Sequence, residues 1–219
     1  MAYLSSRLQA IHDMLPKGVV ADIGSDHGKL MIALYKSGKL KKGYAIENKK
    51  GPYQRLVKEL EKEGLIDVIV PLFSDGITDL PLEVRHIVLA GMGGDLIVDI
   101  LKKHAEKLKL VSTIIVDPHG AIAKVRDEIS KLGYAIAEEK IIKEDDKYYE
   151  IIKFIKADIA TYNDNDLEFG PILRNEKSAV FKEKYIHRIE EINNLLTKNL
   201  PSNRIEELLK EKNRIENIL

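Results

Sequence analysis

Acids and glycines at the ends of apolar runs set the terms of the chemistry. The run Ala21-Asp22-Ile23-Gly24-Ser25-Asp26-His27-Gly28-Lys29-Leu30 places a glycine two positions after an acid and a second glycine four beyond that. It lies between a strand-like run and a helix-like one, so its backbone N–H groups open at a helix N-terminus, and glycine lets a ligand approach the main chain. This is the pattern of a nucleotide-like cofactor site. The G-x-G-x-x-G spacing of a dinucleotide site and the G-x-x-x-x-G-K-[ST] spacing of a phosphate loop are both absent from it. Glu47 ends the next apolar run, where a carboxylate can accept hydrogen bonds from both hydroxyls of a ribose. Asp75-Gly76 follows the third run. Ala90-Gly91-Met92-Gly93-Gly94-Asp95 follows the fourth, its glycines leaving space for a flat base beside the soft apolar side chain of Met92. Asp117-Pro118-His119-Gly120 follows the fifth. Taken singly, these are also what solvated acids, Asp-Gly turns and tight strand-to-helix packing look like. Their order and placement argue for one site.

The elements that must position these residues alternate regularly. Leu4, Leu8, Ile11 and Leu15 recur at helical spacing, and Pro16-Lys17-Gly18 stops that helix. Apolar runs follow at 19–23, 43–46, 68–73, 87–90 and 113–116, separated by helix-like segments at 29–36, 52–63, 95–108 and 122–132. Short continuous apolar runs separated by helices predict a parallel sheet covered on both faces, with ligands at the C-terminal ends of its strands. Segments 134–143 and 148–156 follow one another without a helix and read as an antiparallel hairpin closing the sheet. Residues 158–171 are polar and turn-rich, which suggests a linker between a unit at 1–157 and one at 158–219. Beyond it, Tyr185, Ile189, Ile192 and Leu196, then Ile205, Leu208, Ile215 and Leu219, form two apolar seams. Leu200-Pro201-Ser202-Asn203 interrupts them, and Lys212 occupies one seam position, so the segment reads as an antiparallel, coiled-coil-like helical hairpin.

Composition excludes several classes. The 219 residues contain no cysteine, which rules out disulfides, cysteine-based zinc sites and any thiolate nucleophile. No apolar run approaches the ~20 residues that span a bilayer, and Met1-Ala2-Tyr3-Leu4-Ser5-Ser6-Arg7 lacks a leader pattern, so a cytoplasmic protein is expected. The 35 basic and 35 acidic side chains cancel, yet residues 1–58 hold 11 basic and 4 acidic ones. Lys36, Lys39, Lys41, Lys42, Lys49 and Lys50 lie close together in that basic quarter. They read either as solvated surface or as a phosphate-binding patch.

The Asp-x-Gly-x-x-x-Gly turn resembles the first motif of class I methyltransferases, which implies that it cradles the methionine part of S-adenosyl-L-methionine. The chain as a whole resembles the bacterial tRNA (adenine-N1)-methyltransferase family that modifies nucleotide 22. The resemblance runs through Ser5-x-Arg7-Leu8, Ala21-Asp22-Ile23-Gly24-Ser25-Asp26-His27, Gly51-Pro52, Asp75-Gly76, Ala90-Gly91-Met92-Gly93-Gly94, Lys147-x-Tyr149-Glu150, Gly170-Pro171 and the terminal hairpin. It implies an α/β, Rossmann-like domain with a seven-stranded, mostly parallel sheet, S-adenosyl-L-methionine as cofactor, no metal, and tRNA as partner. It carries cofactor binding to Asp22, Gly24, Glu47, Asp75, Gly76, Gly91 and Met92, with Ser25, His27, Gly28 and Asn48 of the same turns. Asp75 would face the cofactor's adenine amino group, and Asp26 would be the catalytic acid. The candidates for RNA contact are Arg7, Lys41, Lys42, Gly93 and His119. One departure stands out: the family pattern after the fifth strand is Gln-Pro-Asn, and this chain has Asp117-Pro118-His119. Adenine N1 has a free lone pair that can take a methyl group in line, so alignment, exclusion of water and a carboxylate beside the charged product suffice. A methyltransferase with another acceptor (a different RNA base, a protein or a small molecule) fits the same motifs. So does a non-catalytic binding module on this fold.

Overall fold

The computed structural model of the protein describes residues 4–158 and 160–219. Met1–Tyr3, the start of the stretch read for a leader pattern, and Ile159, in the expected linker, lie outside the described residues. Ser5 starts helix α1 (Ser6–Met14) by accepting the Leu8 amide on its hydroxyl, and the helix buries Ala10, Ile11 and Met14. Strands β1 (Gly18–Ile23), β2 (Leu40–Glu47), β3 (Ile69–Phe73), β4 (His86–Met92) and β5 (Thr113–Pro118) arise from the five apolar runs. Helices α2 (Lys29–Lys36), α3 (Lys50–Lys62), α4 (Gly94–Lys103) and α5 (Ile122–Lys131) alternate with them. The hairpin of β6 (Tyr134–Glu144) and β7 (Lys147–Lys156) completes a seven-stranded sheet of order β3-β2-β1-β4-β5-β7-β6.

The pairings among β1 to β5 are parallel, and β7 runs antiparallel to both β5 and β6. Strand order therefore changes direction between β1 and β4, which opens a ligand crevice at their C-terminal ends. The strands are apolar on both sides because both faces are covered. Ala21, Ile23, Ile87, Leu89, Ile114 and Val116 pack with α4 and α5. Val20, Ala45, Val88 and Ile115 pack with α1, α2 and α3.

Two expectations need correction. The helix read over 95–108 divides at His104 (φ −128°, ψ 38°), and a 3₁₀ stretch, Ala105–Leu110, follows α4. The Leu108 and Val111 carbonyls at the end of that stretch share the Tyr134 hydroxyl at 3.1 and 2.9 Å. The segment 158–171 is not simply a linker, because α6 (Asp164–Phe169) forms within it. Asn163 caps α6 and Asp166 returns a bond to the Asn163 amide, so the polar run is a capping box. A short helix α7 (Leu173–Glu176) then leads to α8 (Ala179–Leu196) and α9 (Ser202–Ile218).

Helices α8 and α9 pair through Tyr185, Ile192, Leu208 and Ile215, and the seam position Lys212 donates to Asn193 at 2.8 Å. A buried ionic cluster binds this C-terminal segment to the sheet. Arg126, fully buried on α5, donates to Glu139 at 2.8 Å, to Glu150 at 2.5 Å and to the Leu167 carbonyl at 2.9 Å. Lys184 of α8 also reaches Glu150, and Glu139 accepts the Ile172 amide at 2.9 Å.

Candidate functional site

The turn after β1 is pinned to the tip of β2, because the Gly24 and Ser25 amides both donate to the Ile46 carbonyl, at 2.8 and 3.2 Å. Gly24 has φ +78°, and a Cβ built on it would lie 3.2 Å from Met92 Cε. The first turn and the end of β4 thus converge where only glycine leaves room. Asp22 is buried and accepts from the Ser25 hydroxyl at 2.6 Å. Burial pushes its carboxyl up to about 6; the Ser25 bond opposes this and the nearby Glu47 adds to it.

Glu47, also buried, accepts the Asn48 and Lys49 amides on Oε1 at 3.0 Å each, which leaves Oε2 outside both bonds. The Asn48 side chain donates from Nδ2 to Asp75 Oδ1 at 2.9 Å, so the tips of β2 and β3 form one polar rim. Gly24, Glu47, Asn48, Asp75, Gly76 and Met92 line a single cleft. Leu96 and Ile100 of α4 complete its wall; the sequence reading missed them, although their helical spacing after the glycine cluster could have signalled it.

Ser25, His27 and Gly28, like Asp22 and Gly91, stand beside this cleft rather than among the residues that line it, and the Cβ position of Gly91 (φ +72°) faces Arg7. Ser25 acts on Asp22, and Gly28 lies buried beneath Leu56 of α3. His27 takes φ +58°, an uncommon conformation for a side-chain-bearing residue, and its Nε2 lies 3.5 Å from Asp26 Oδ1. Asp26 is exposed, 3.4 Å from Arg55 Nη2, and it makes no capping bond to α2, whose N-cap is Gly28. Arg55 was not foreseen, because only the packing of α3 against this turn brings it there. The glycine cluster divides by role. A Cβ on Gly94 would fall 2.3 Å from the Gly120 carbonyl, so Gly94 serves tight packing, while the Cβ position of Gly93 faces open space.

Beyond Met92 the tips of β5 and β7 carry a second group of polar residues. Arg7 Nε lies 3.4 Å from the fully buried Asp117 and 3.8 Å from Glu144. Its guanidinium covers the Tyr149 ring at 4.2 Å, and Nη1 is 3.4 Å from His119 Nε2. Burial holds the Asp117 carboxyl above its ordinary range, against the opposing charges of Arg7 and His119. Arg7 Nε and the Asp117 carboxylate, 3.4 Å apart, fall short of hydrogen-bond geometry, and the Gly91 backbone amide also faces that carboxylate. Asp117, Glu144 and Tyr149 were not among the expected site residues. The departure at 117–119 was the one signal that this loop differs.

Lys41 and Lys42 are not brought to this edge. They sit at the start of β2, about 16 to 20 Å of strand before Glu47, and Lys42 bonds to Glu83 at 2.8 Å. The basic cluster of the sequence is thereby split between opposite edges of the sheet.

Comparison with known proteins identifies the family. A family profile described as TrmK, tRNA (adenine(22)-N(1))-methyltransferase, matches residues 20–218. The tRNA (adenine(22)-N(1))-methyltransferase of Bacillus subtilis (strain 168) is 34% identical over 194 residues, covering 85% of this chain and 82% of that one. Streptococcus pneumoniae Sp1610, crystallised with S-adenosyl-L-methionine, superposes with a TM-score of 0.92 at 30% identity, covering 99% of this chain and 100% of that one. M. capricolum TrmK, in complex with S-adenosyl-homocysteine, gives a TM-score of 0.88 at 26% identity, covering 98% of this chain and 96% of that one.

Proposed function

The chain belongs to the TrmK family of tRNA (adenine(22)-N(1))-methyltransferases, and we propose that the cleft at the tips of β1, β2, β3 and β4 is where it performs that reaction. The enzyme transfers the methyl group of S-adenosyl-L-methionine to N1 of an adenine in tRNA. The observation that carries the site reading is the convergence of Gly24, Glu47, Asp75 and Met92 on one cleft. These residues fit the cofactor: the missing Cβ of Gly24 leaves space beside Met92, and Glu47 Oε2 is left over from the amide bonds. When bound, the cofactor supplies an electrophilic methyl group on a sulfonium.

In this reading Glu47 accepts the ribose hydroxyls, and Asp75, positioned by Asn48, faces the adenine of the cofactor. Asp22 offers a buried carboxylate to the cationic methionine end, an exchange of solvent for a fixed charge partner. Adenine N1 needs alignment more than activation. Asp26 is the proposed catalytic residue: it accepts a hydrogen bond from the exocyclic amine and stabilises the positive charge that develops on the ring. Arg55 holds that carboxylate from outside. N1 lies on the pairing edge, so the base enters the cleft unstacked. Arg7, Gly93 and His119 are the proposed contacts on the acceptor side. Residues 1–157 would act as the catalytic unit and 158–219 as an RNA-docking hairpin. Among the described residues no helix is long and apolar enough to cross a membrane and no cluster suits a metal ion. A tRNA substrate supports a location in the cytoplasm.

The test is methyl transfer from labelled S-adenosyl-L-methionine to unmodified bacterial tRNA, with the product nucleoside identified by mass spectrometry. N1-methyladenosine at nucleotide 22 is the expected product. A bound cofactor with no labelled tRNA would overturn the acceptor.

A further inference from the structure

We propose that the groove between the tip of β5 and the start of β7 is a subsite for the single-stranded RNA flanking the target adenosine. It stacks one base on Tyr149 and His119 and holds one phosphate on Lys147. The inference rests on the tRNA reading above and goes beyond it in naming a place, a ligand class and the residues that bind it.

The sheet topology creates the groove. Because β7 is antiparallel, it begins at the edge where β5 ends, so Lys147, Tyr148 and Tyr149 arrive beside His119. Lys184 of α8 forms the far wall. The His119 amide donates to the Met92 carbonyl at 2.8 Å, and Met92 lines the cofactor cleft, so groove and cleft share a wall. A strand whose flipped base occupies the cleft has its next nucleotide at this groove.

The lining has the chemistry such a nucleotide needs. The rings of Tyr149 and His119 stand 5.6 Å apart with planes at 53°, an angled aromatic wall. Sequence-independent binding of single strands combines such rings with a basic track. Arg7 backs the Tyr149 ring and is itself held between Asp117 and Glu144, which fixes the platform. Lys184 is committed to Glu150, and Glu144 to the Ser6 amide at 2.8 Å. Lys147 forms no ion pair among the described residues and is the cation left for a phosphate.

The experiment is equilibrium binding of unmodified tRNA across a salt series, for the unaltered chain, Lys147→Gln, Tyr149→Ala and Tyr149→Phe. S-adenosyl-homocysteine affinity is measured alongside as the check on folding. Lys147→Gln is expected to weaken binding several-fold and to reduce the slope of log K against log salt by about 0.7, the value for one phosphate on a single strand. Tyr149→Ala is expected to weaken it by roughly 10-fold or more, as for loss of one stacked base, and Tyr149→Phe to retain it. All three variants should keep the cofactor affinity of the unaltered chain. Unchanged tRNA affinity and salt slope in Lys147→Gln and Tyr149→Ala would overturn the subsite, even where methyl transfer upholds the tRNA reading. Groove-dependent binding without methyl transfer would leave the subsite standing and overturn the reaction. Selective capture of an acidic peptide by the groove, with no RNA effect, would overturn the RNA assignment.

Discussion

Asp22→Asn separates what burial does to this carboxyl from what the cofactor does for it. In the ligand-free fold burial holds the group at about 6, against its ordinary 3.8. Between those values the folded chain keeps a proton that the unfolded chain has lost, so stability falls as pH rises through that window and the loss is complete above it. Relative to a neutral side chain, the ionised one costs up to about 3 kcal/mol at neutral pH. Asparagine keeps an acceptor for the Ser25 hydroxyl and carries no charge. Ligand-free Asp22→Asn should therefore be more stable than the unaltered protein at pH 7, by up to ~3 kcal/mol, and the advantage should vanish near pH 4. The cationic methionine end of the cofactor reverses the balance, because it favours the ionised form. Affinity of the unaltered chain for S-adenosyl-homocysteine should fall by about 10-fold between pH 7 and pH 5 as the carboxyl takes its proton. That of Asp22→Asn should be weaker at pH 7 and should lack this component. Calorimetric titrations at four pH values, with denaturant unfolding of both ligand-free proteins, measure the two effects. Taking differences between the proteins removes contributions from Asp117, raised by burial, and His86, lowered by it. Identical pH profiles in the two proteins, or a ligand-free variant no more stable at pH 7, would refute the reasoning.

Three further predictions follow from the same geometry. Asp26→Asn should leave cofactor affinity within about 2-fold and slow turnover on tRNA by roughly 100-fold; unchanged turnover would remove its catalytic role. Glu47→Gln should weaken S-adenosyl-homocysteine binding by about 10-fold or more, since a charged acceptor for the ribose is lost. A defect confined to turnover at saturating cofactor would count against that assignment. Arg126→Met strands Glu139 and Glu150 without their buried partner and should cost about 3–5 kcal/mol in denaturant unfolding; a loss below ~1 kcal/mol would show that the cluster tolerates the vacancy.

The cofactor side of the site was legible in the sequence because it is local. Asp22, Gly24, Glu47, Asp75 and Met92 each stand at the end of an apolar run or in the turn after it, and a parallel sheet delivers all such ends to one edge. What the sequence does not show is the partner each turn residue takes: Ser25 bonds to Asp22, and Gly28 packs against α3. The broken helix at His104 and the capped helix α6 were misread for related reasons. A tertiary partner, Tyr134, bonds the Leu108 and Val111 carbonyls at the end of the first, and a polar capping box has the composition of a loop in the second.

The acceptor side was harder to read because it is assembled from residues distant in sequence. Arg7 lies 110 positions before Asp117 and 142 before Tyr149, and the antiparallel return of β7 brings the three together. No periodicity marks such a meeting. The one local sign was Asp117-Pro118-His119 in place of Gln-Pro-Asn, and the structure gives that change a physical context. An aspartate at the tip of β5 introduces a buried charge, which is tolerable only beside a compensating cation. Arg7 supplies that cation, and Glu144 and Tyr149 hold its guanidinium. Asp117 and Arg7 then act as a pair. Asp117→Gln alone should leave Arg7 held by Glu144 with one charge fewer opposing it, and should loosen its hold on the Tyr149 ring. The readout is tRNA affinity: weakened binding with cofactor affinity intact supports an anchored platform, and an undisturbed tRNA affinity would show that Asp117 serves the fold alone.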